Sequence, residues 1–305
     1  MRLDETAKGV FTIAVTPFLP DGALDLDSVD RMVDFYVEKG ATGLTILGIM
    51  GEAGKLSAEE SLAVIRRVVA RTDLPVIVGV SSPGFAAMGA LAAAAMDAGA
   101  AGVMVAPPAS LKSDDQIVGY YHTTAETLGD APFVLQDFPL VTNVYVPPKV
   151  ILKVVEDCPT CVMLKHEDWP GLDKISTLRA ASDAGARRIS ILCGNGGQFL
   201  LEEMLRGADG AMTGFAFPEM MADVVAAVTA GDETRARDIF DAYLPLVRYE
   251  SQPGLGLAIR KYTLARRGAI AHATLRKPGA PLNAKGIAEV ETLIARQDAR
   301  LAGLG

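Results

Sequence analysis

The sequence predicts an α/β chain, a (β/α)8 TIM barrel with a C-terminal helical extension. Three observations lead there. Short apolar runs alternate with helical patterns along most of the chain. The runs number eight, enough to close a barrel. The helix-to-strand junctions also recur, as KGATGLTI, AGAAGVMV and RGADGAMT, each with one Gly ending a helix and a second before the next strand. A doubly wound sheet is the alternative, but no GxGxxG opens the first helix.

The strands are read in order as FTIAVTP (11–17), GLTILG (43–48), PVIVGV (75–80), GVMVAP (102–107), PFVLQDF (132–138), CVMLKHE (161–167), RISILCG (188–194) and GAMTGF (210–215). They are nearly continuously apolar, as parallel strands covered on both faces should be. Between the first two, Val29, Met32, Val33, Tyr36 and Val37 recur at helical spacing and mark a buried face. Ser57 and Glu60 make a capping box for a helix over 58–70, whose buried side is expected to be Leu62, Ile65 and Val69. After Phe217 the strands stop, and helical patterns follow at 219–229, 232–248, 255–267 and 284–299. The expected division is a catalytic barrel over 1–231 and a helical extension over 232–305.

Composition limits the function. Half of the 305 residues are apolar and 22% are charged, so a large core is within reach. The net charge of −8 comes without a basic cluster and argues against nucleic acid or an anionic membrane as partner. No apolar run approaches the roughly 18 residues of a membrane span. MRLDETAKGVFTIAVTPF makes a poor signal peptide. Three cysteines are too few for a disulfide framework, and a cytoplasmic setting is expected. Cys158 and Cys161 form a lone CxxC with no second pair, better read as structural than as a redox or zinc site. His122, His166 and His272 lie far apart and show no metal-binding spacing. Neither a metal nor any other cofactor is expected.

In a barrel, the C-terminal strand ends carry the chemistry. Those ends offer Thr16, Gly48 to Glu52, Ala106 to Pro108, Gln136, Asp137, Lys165 to Glu167, Gly194, Asn195 and Thr213 to Phe215. Lys165 is the one lysine near such an end. It can snorkel from the rim or pair with an acid. Alternatively, burial can lower its pKa and leave a neutral amine that attacks a carbonyl. Glu167, two residues on, points to the same side of the strand, either as an acid–base group or as a structural ion-pair partner. No arginine stands at an expected strand end to clamp a distal carboxylate, which favours an uncharged substrate tail.

The chain is similar, over nearly its whole length, to the pyruvate-dependent class I aldolase family that includes dihydrodipicolinate synthase and N-acetylneuraminate lyase. The landmarks are GVFTIAVTPF, GIMGEAGKLSAEE, QDFP, MLKHE, ILCGNG and GAMTG, all in register. The resemblance implies that Lys165 forms an iminium with the keto carbon of a 2-oxo acid. It implies substrate contacts from Thr16, from the backbone of Ile49, Met50 and Gly51, and from Gly194 and Met212. It also implies a homo-oligomer, commonly a tetramer. The departures bear on the reaction. GIMGE stands where the family usually has GTTGE, so the hydroxyl relay is lost. Gln136 stands at the usual tyrosine, and a carboxamide does not shuttle protons near neutral pH. APPA (106–109) replaces the usual TPYY. In these departures, and in YLPLVRYES (243–251), the chain resembles the L-2-keto-3-deoxyarabonate dehydratases. Three readings follow: a Schiff-base dehydratase of a 2-keto-3-deoxy sugar acid, an aldolase or synthase with a substitute relay, and a barrel that binds 2-oxo acids without turnover.

Overall fold

The computed structural model describes residues 2–169 and 171–304. Eight parallel strands close a barrel in sequence order, and β1 pairs with both β2 and β8. They are β1 (Gly9–Ile13), β2 (Gly43–Ile46), β3 (Val76–Gly79), β4 (Gly102–Val105), β5 (Phe133–Asp137), β6 (Cys161–His166), β7 (Ser190–Cys193) and β8 (Gly210–Ala211). The helices between them are α1 (Leu26–Glu38), α2 (Ala58–Arg71), α3 (Phe85–Asp97), α4 (Asp114–Leu128), a single turn α5 (Pro139–Thr142), α6 (Pro148–Asp157), α7 (Leu172–Asp183) and α8 (Leu200–Leu205). After β8, α9 (Pro218–Thr229) packs on β1 and β8 and completes the outer layer, and beyond the barrel come α10 (Glu233–Glu250), α11 (Gly256–Arg266) and α12 (Ala284–Ala302).

The apolar runs are continuous because each strand is buried on both faces, and two separate cores result. Val134, Met163, Leu192 and Met212 fill the barrel interior. Leu135, Leu164 and Ile191 point outward beneath the helices. The first and last strands differ from the sequence reading. β1 starts at Gly9 and ends at Ile13, and β8 is confined to Gly210 and Ala211. Met212 still continues the wall, its amide donating to the Cys193 carbonyl at 2.8 Å and its side chain lying in the interior core, whereas residues 213–217 form the rim.

The face of α2 is rotated from the expected one. The capping box is present, with Ser57 accepting from the Glu60 amide at 3.2 Å and Glu60 accepting from the Ser57 amide at 2.9 Å. Yet the buried stripe is Ser61, Val64, Ile65 and Val68, with Leu62 and Val69 only half-buried at its edge. At the exposed edge of the α1–α2 contact, Arg67 and Arg71 pair with Asp30 and Asp34 on α1 at 2.6 and 2.5 Å. On α1 the expected face holds except at Val37, which is exposed.

The extension is fastened to the barrel. Arg276 pairs with Glu60 at 2.6 Å and donates to the Gly22 carbonyl at 2.8 Å. Lys261, on α11, reaches the loops after β1 and β2 through the Thr16 carbonyl and Glu52. These contacts draw α11 and the end of α10 across the mouth of the barrel, over the C-terminal strand ends. Among the described residues, no helix is long and apolar enough to cross a membrane.

Candidate active site

The site begins with the pairing of two strands. β5 and β6 run parallel with Gln136 opposite Lys165, so both side chains project to the same side. Glu167, two residues past Lys165, continues that side. Lys165 Nζ lies 2.9 Å from Glu167 Oε2, and Gln136 Nε2 donates to the same oxygen at 2.7 Å. All three are about 95% buried.

The seventh strand shapes this cluster from its other side. A Cβ on Gly194 would fall 2.1 Å from Glu167 Cγ, so only glycine leaves room for the carboxylate. Asn195 then holds the backbone, with its carboxamide donating to the Glu167 carbonyl at 2.9 Å. Asn195 takes a left-handed conformation, φ 51°. The other left-handed non-glycine residues, Leu47, Glu52 and Asn143, also lie in loops that follow strand ends. Strain of this kind persists where the surroundings over-determine it and gathers at functional sites.

These side chains open onto a cavity of about 650 Å³, within the range of small-molecule sites. Ile49, Met50, Gln136, Lys165 and Glu167 line it. Gly51 and Thr16 lie behind the wall. The Gly51 amide donates to the Gly48 carbonyl at 3.0 Å, and the Thr16 hydroxyl donates to the Gly51 carbonyl at 2.5 Å. These two residues brace the loop after β2, whose exposed side presents Ile49 and Met50. Met212 is fully buried in the interior core beneath the site.

Behind the strands is a second charged cluster facing away from the cavity. Lys174 pairs with Asp137 and Asp168, each at 2.7 Å. Burial pushes the Asp137 carboxyl up to about 6, with Lys174 opposing. Burial likewise pushes the His166 imidazole down to about 4. This cluster locks the outer sides of Asp137 and His166, the immediate chain neighbours of Gln136, Lys165 and Glu167. Among the described residues, no group of three His, Cys, Asp or Glu side chains could hold a metal ion. The three cysteines are buried and free.

The sequence reading missed the opposite wall of the cavity. Arg248, Glu250, Ser251 and Gln252, from the end of α10, and Arg260, from α11, all line it. Arg260 Nε donates to Glu250 Oε1 at 2.6 Å, and Glu250 Oε2 accepts from the Ala216 amide at 3.2 Å. Arginine was sought only at strand ends, whereas this one arrives on a helix after the eighth strand. The stretch YLPLVRYES, singled out for its resemblance, contains Arg248, Glu250 and Ser251 and was the available signal.

Comparison with known proteins fits this geometry to a family. The model of the dihydrodipicolinate synthetase family matches residues 6–297. The chain belongs to that family. It is an enzyme of the lyase class, built as the family's barrel. The dihydrodipicolinate synthase structure from Rhodopseudomonas palustris is 55% identical, with a TM-score of 0.96, covering 97% of this chain and 99% of that one. The 4-hydroxy-tetrahydrodipicolinate synthase of Methanothrix thermoacetophila is 29% identical over 295 residues, covering 95% of this chain and 96% of its own. The L-2-keto-3-deoxyarabonate dehydratase of Azospirillum brasilense is 28% identical over 304 residues, covering 95% and 94%.

Proposed function

We propose that this lyase forms a Schiff base through Lys165 and dehydrates a 2-keto-3-deoxy sugar acid, of which L-2-keto-3-deoxyarabonate is the expected example. One observation carries the reading. The carboxylate of Glu167 lies 2.9 Å from Lys165 Nζ and is held by the Gln136 carboxamide, in the place where the family resemblance calls for a tyrosine. A carboxamide orients but does not carry protons, so the acid–base work falls to the carboxyl beside the lysine.

The contact between the two side chains, left open as a structural ion pair, also has a chemical use. Glu167 accepts a proton from the Lys165 ammonium and frees the amine to attack the keto carbon. Returned to the tetrahedral adduct, that proton lets its hydroxyl leave as water, and the iminium forms. The iminium acidifies C3. Glu167 removes a C3 proton, the enamine expels the C4 hydroxyl, and the protonated carboxyl supplies the proton that makes it water. A proton shift from C5 to C3 then gives the C4–C5 enol, which gains a proton at C4 and loses its O–H proton to become the 5-aldehyde, and hydrolysis of the iminium releases a 2-oxo acid semialdehyde such as 2,5-dioxopentanoate. Two waters leave and one is consumed, so the net change is loss of one water. Retro-aldol cleavage would instead need a base on the C4 hydroxyl, the task of the absent tyrosine.

One feature supports the placing of the substrate carboxylate. Ile49 and Met50 present the loop where the family resemblance puts that carboxylate, with Thr16 and Gly51 bracing it and Gly194 shaping the space for Glu167. The second reading is a synthase that condenses pyruvate with an aldehyde, favoured by the name of the R. palustris structure. Mass spectrometry on a set of 2-keto-3-deoxy acids tests the first reading: a product lighter by one water is expected, without release of pyruvate. Efficient condensation of pyruvate with aspartate semialdehyde would replace it with the second. Gln136→Tyr, which restores the family residue, should not improve dehydration. We also propose a homo-oligomer, commonly a tetramer in this family. Light scattering that showed only a monomer at micromolar concentration would reject that.

A further inference from the structure

Arg260 is a buried guanidinium with donors to spare. It is about 95% buried, and its hydrogen bonding within the described residues is the single bond from Nε to Glu250. Nη1 is buried with no partner at all. A guanidinium carries five N–H donors, and buried donors are normally satisfied. Gly214, also on the cavity wall, admits this group: a Cβ there would fall 2.1 Å from Nη1. The sequence thus keeps a glycine where any side chain would displace the arginine, and the catalytic steps above do not use it.

We propose that Arg260, held by Glu250, is a specificity-determining residue that binds a neutral oxygen, hydroxyl or carbonyl, at the far end of the substrate and selects an uncharged tail over a second carboxylate. This rests on the reading of the cavity as a 2-oxo acid site. Glu250 decides the sign. Its carboxylate already neutralises the guanidinium, so a second carboxylate at the terminal nitrogens would sit beside it and be repelled. A hydroxyl can accept from the guanidinium and pass its own proton to a neighbour. The nearby polar lining, Ser251, Gln252 and Gln198, is uncharged. Arg248 does carry an unbalanced charge, but it is exposed at the rim, where solvent screens it.

The test uses borohydride trapping of the Lys165 adduct with pyruvate and with two five-carbon acids, 5-hydroxy-2-oxopentanoate and 2-oxoglutarate. The wild-type enzyme should half-saturate with the hydroxy acid at a concentration at least ~10-fold below that for 2-oxoglutarate, the scale of one charge-assisted hydrogen bond gained or opposed. The double variant Arg260→Met/Glu250→Gln replaces the pair instead of breaking it. It should bring the two acids within about 2-fold of each other while leaving pyruvate, which has no tail, unchanged. Equal or tighter trapping of 2-oxoglutarate by the wild type overturns the inference, and so does a folded double variant that keeps the preference. The wild-type ratio decides alone if the double variant does not fold. Failure of the wild type to trap pyruvate at all overturns the Schiff-base reading instead.

Discussion

The described residues contain two buried lysine–glutamate pairs, and they differ in how fully the ammonium is enclosed. Lys165 and Glu167 lie 2.9 Å apart, with side chains 6% exposed. Lys261 and Glu52 lie 2.5 Å apart, 0% and 2% exposed. Neither burial nor pairing separates them. The difference is in what the ammonium has left over. Lys261 also donates to the Thr16 and Thr274 carbonyls, each at 2.8 Å, so all three of its N–H bonds are used. Its ring neighbour Phe18, 4.5 Å away, covers it further. Lys165 has one charged partner and a cavity in front of it. A boxed-in lysine can only fasten, whereas a lysine with one removable partner and open space is free to meet a substrate, as the proposed function requires.

The largest effect expected from breaking this contrast is at Lys165. Lys165→Ala should abolish imine trapping and reduce turnover by at least ~10⁴-fold, since the nucleophile itself is gone. Lys165→Arg should do the same, because a guanidinium stays protonated. Both variants should retain the barrel by circular dichroism. A borohydride adduct mapped to any other lysine, Lys261 above all, would sink the distinction between the pairs.

Lys261 should fail in the other direction. Lys261→Met leaves Glu52 buried with Lys55, 2.7 Å away, as its ion-pair partner and the Arg276 amide donating to it at 3.1 Å. Loss of one partner of a buried pair costs about 3 kcal/mol or more, seen as a lower urea midpoint. Protein that remains folded should still trap pyruvate at Lys165. Unchanged stability would mean that Lys55 and solvent suffice for Glu52.

The sequence exposed one of these lysines more clearly than the other, for a physical reason. Lys165 follows four residues of a buried strand, where a charge is out of place, and Glu167 and Gln136 follow from strand alternation and family register. Lys261 lies in a helix with polar neighbours, and nothing local tells which face is covered. The same limit hid Arg260 and Glu250, since their meeting with Gly214 and Ala216, in the loop after β8, depends on how α11 folds back over the barrel. It also misplaced the face of α2, where the buried stripe is Ser61, Val64, Ile65 and Val68 and depends on how the helix packs against its neighbours. Strand content and order follow from local patterns. The far wall of the cavity follows from contacts distant in sequence, such as Arg260 with Gly214.

Glu167 tests whether the reagent pair works as one. Glu167→Gln keeps the shape and the contact with Gln136 but removes the acid–base group. Turnover should fall ~100-fold, the usual scale for such a loss. The adduct at Lys165 should still form under borohydride, because the variant retains the amine. Unchanged turnover would return Glu167 to a structural role and make the two pairs alike after all.

The smallest expected effect comes from a buried carboxyl with no lysine at all. Glu203, on α8, is about 95% buried beside Cys193, and its Oε2 has no hydrogen-bond partner. Burial pushes its pKa up from 4.5 to about 8. The folded protein therefore holds a proton there that the unfolded chain releases above pH 4.5. Since the unfolded state binds fewer protons between those values, this contribution to stability is complete below pH 4.5, falls as pH rises, and levels off above about 8. Glu203→Gln mimics the protonated form at every pH. Between pH 6 and pH 8 the wild type should lose roughly 2 kcal/mol relative to the variant, read as diverging urea midpoints. His166, held low by the same burial, does not confuse the result, because it is neutral in the fold throughout that range and is present in both proteins. Parallel profiles would show that Glu203 is ionised in the fold. A buried carboxylate would then be tolerated in this fold without a lysine beside it, and burial alone would not explain why Lys165 and Lys261 stand next to glutamates.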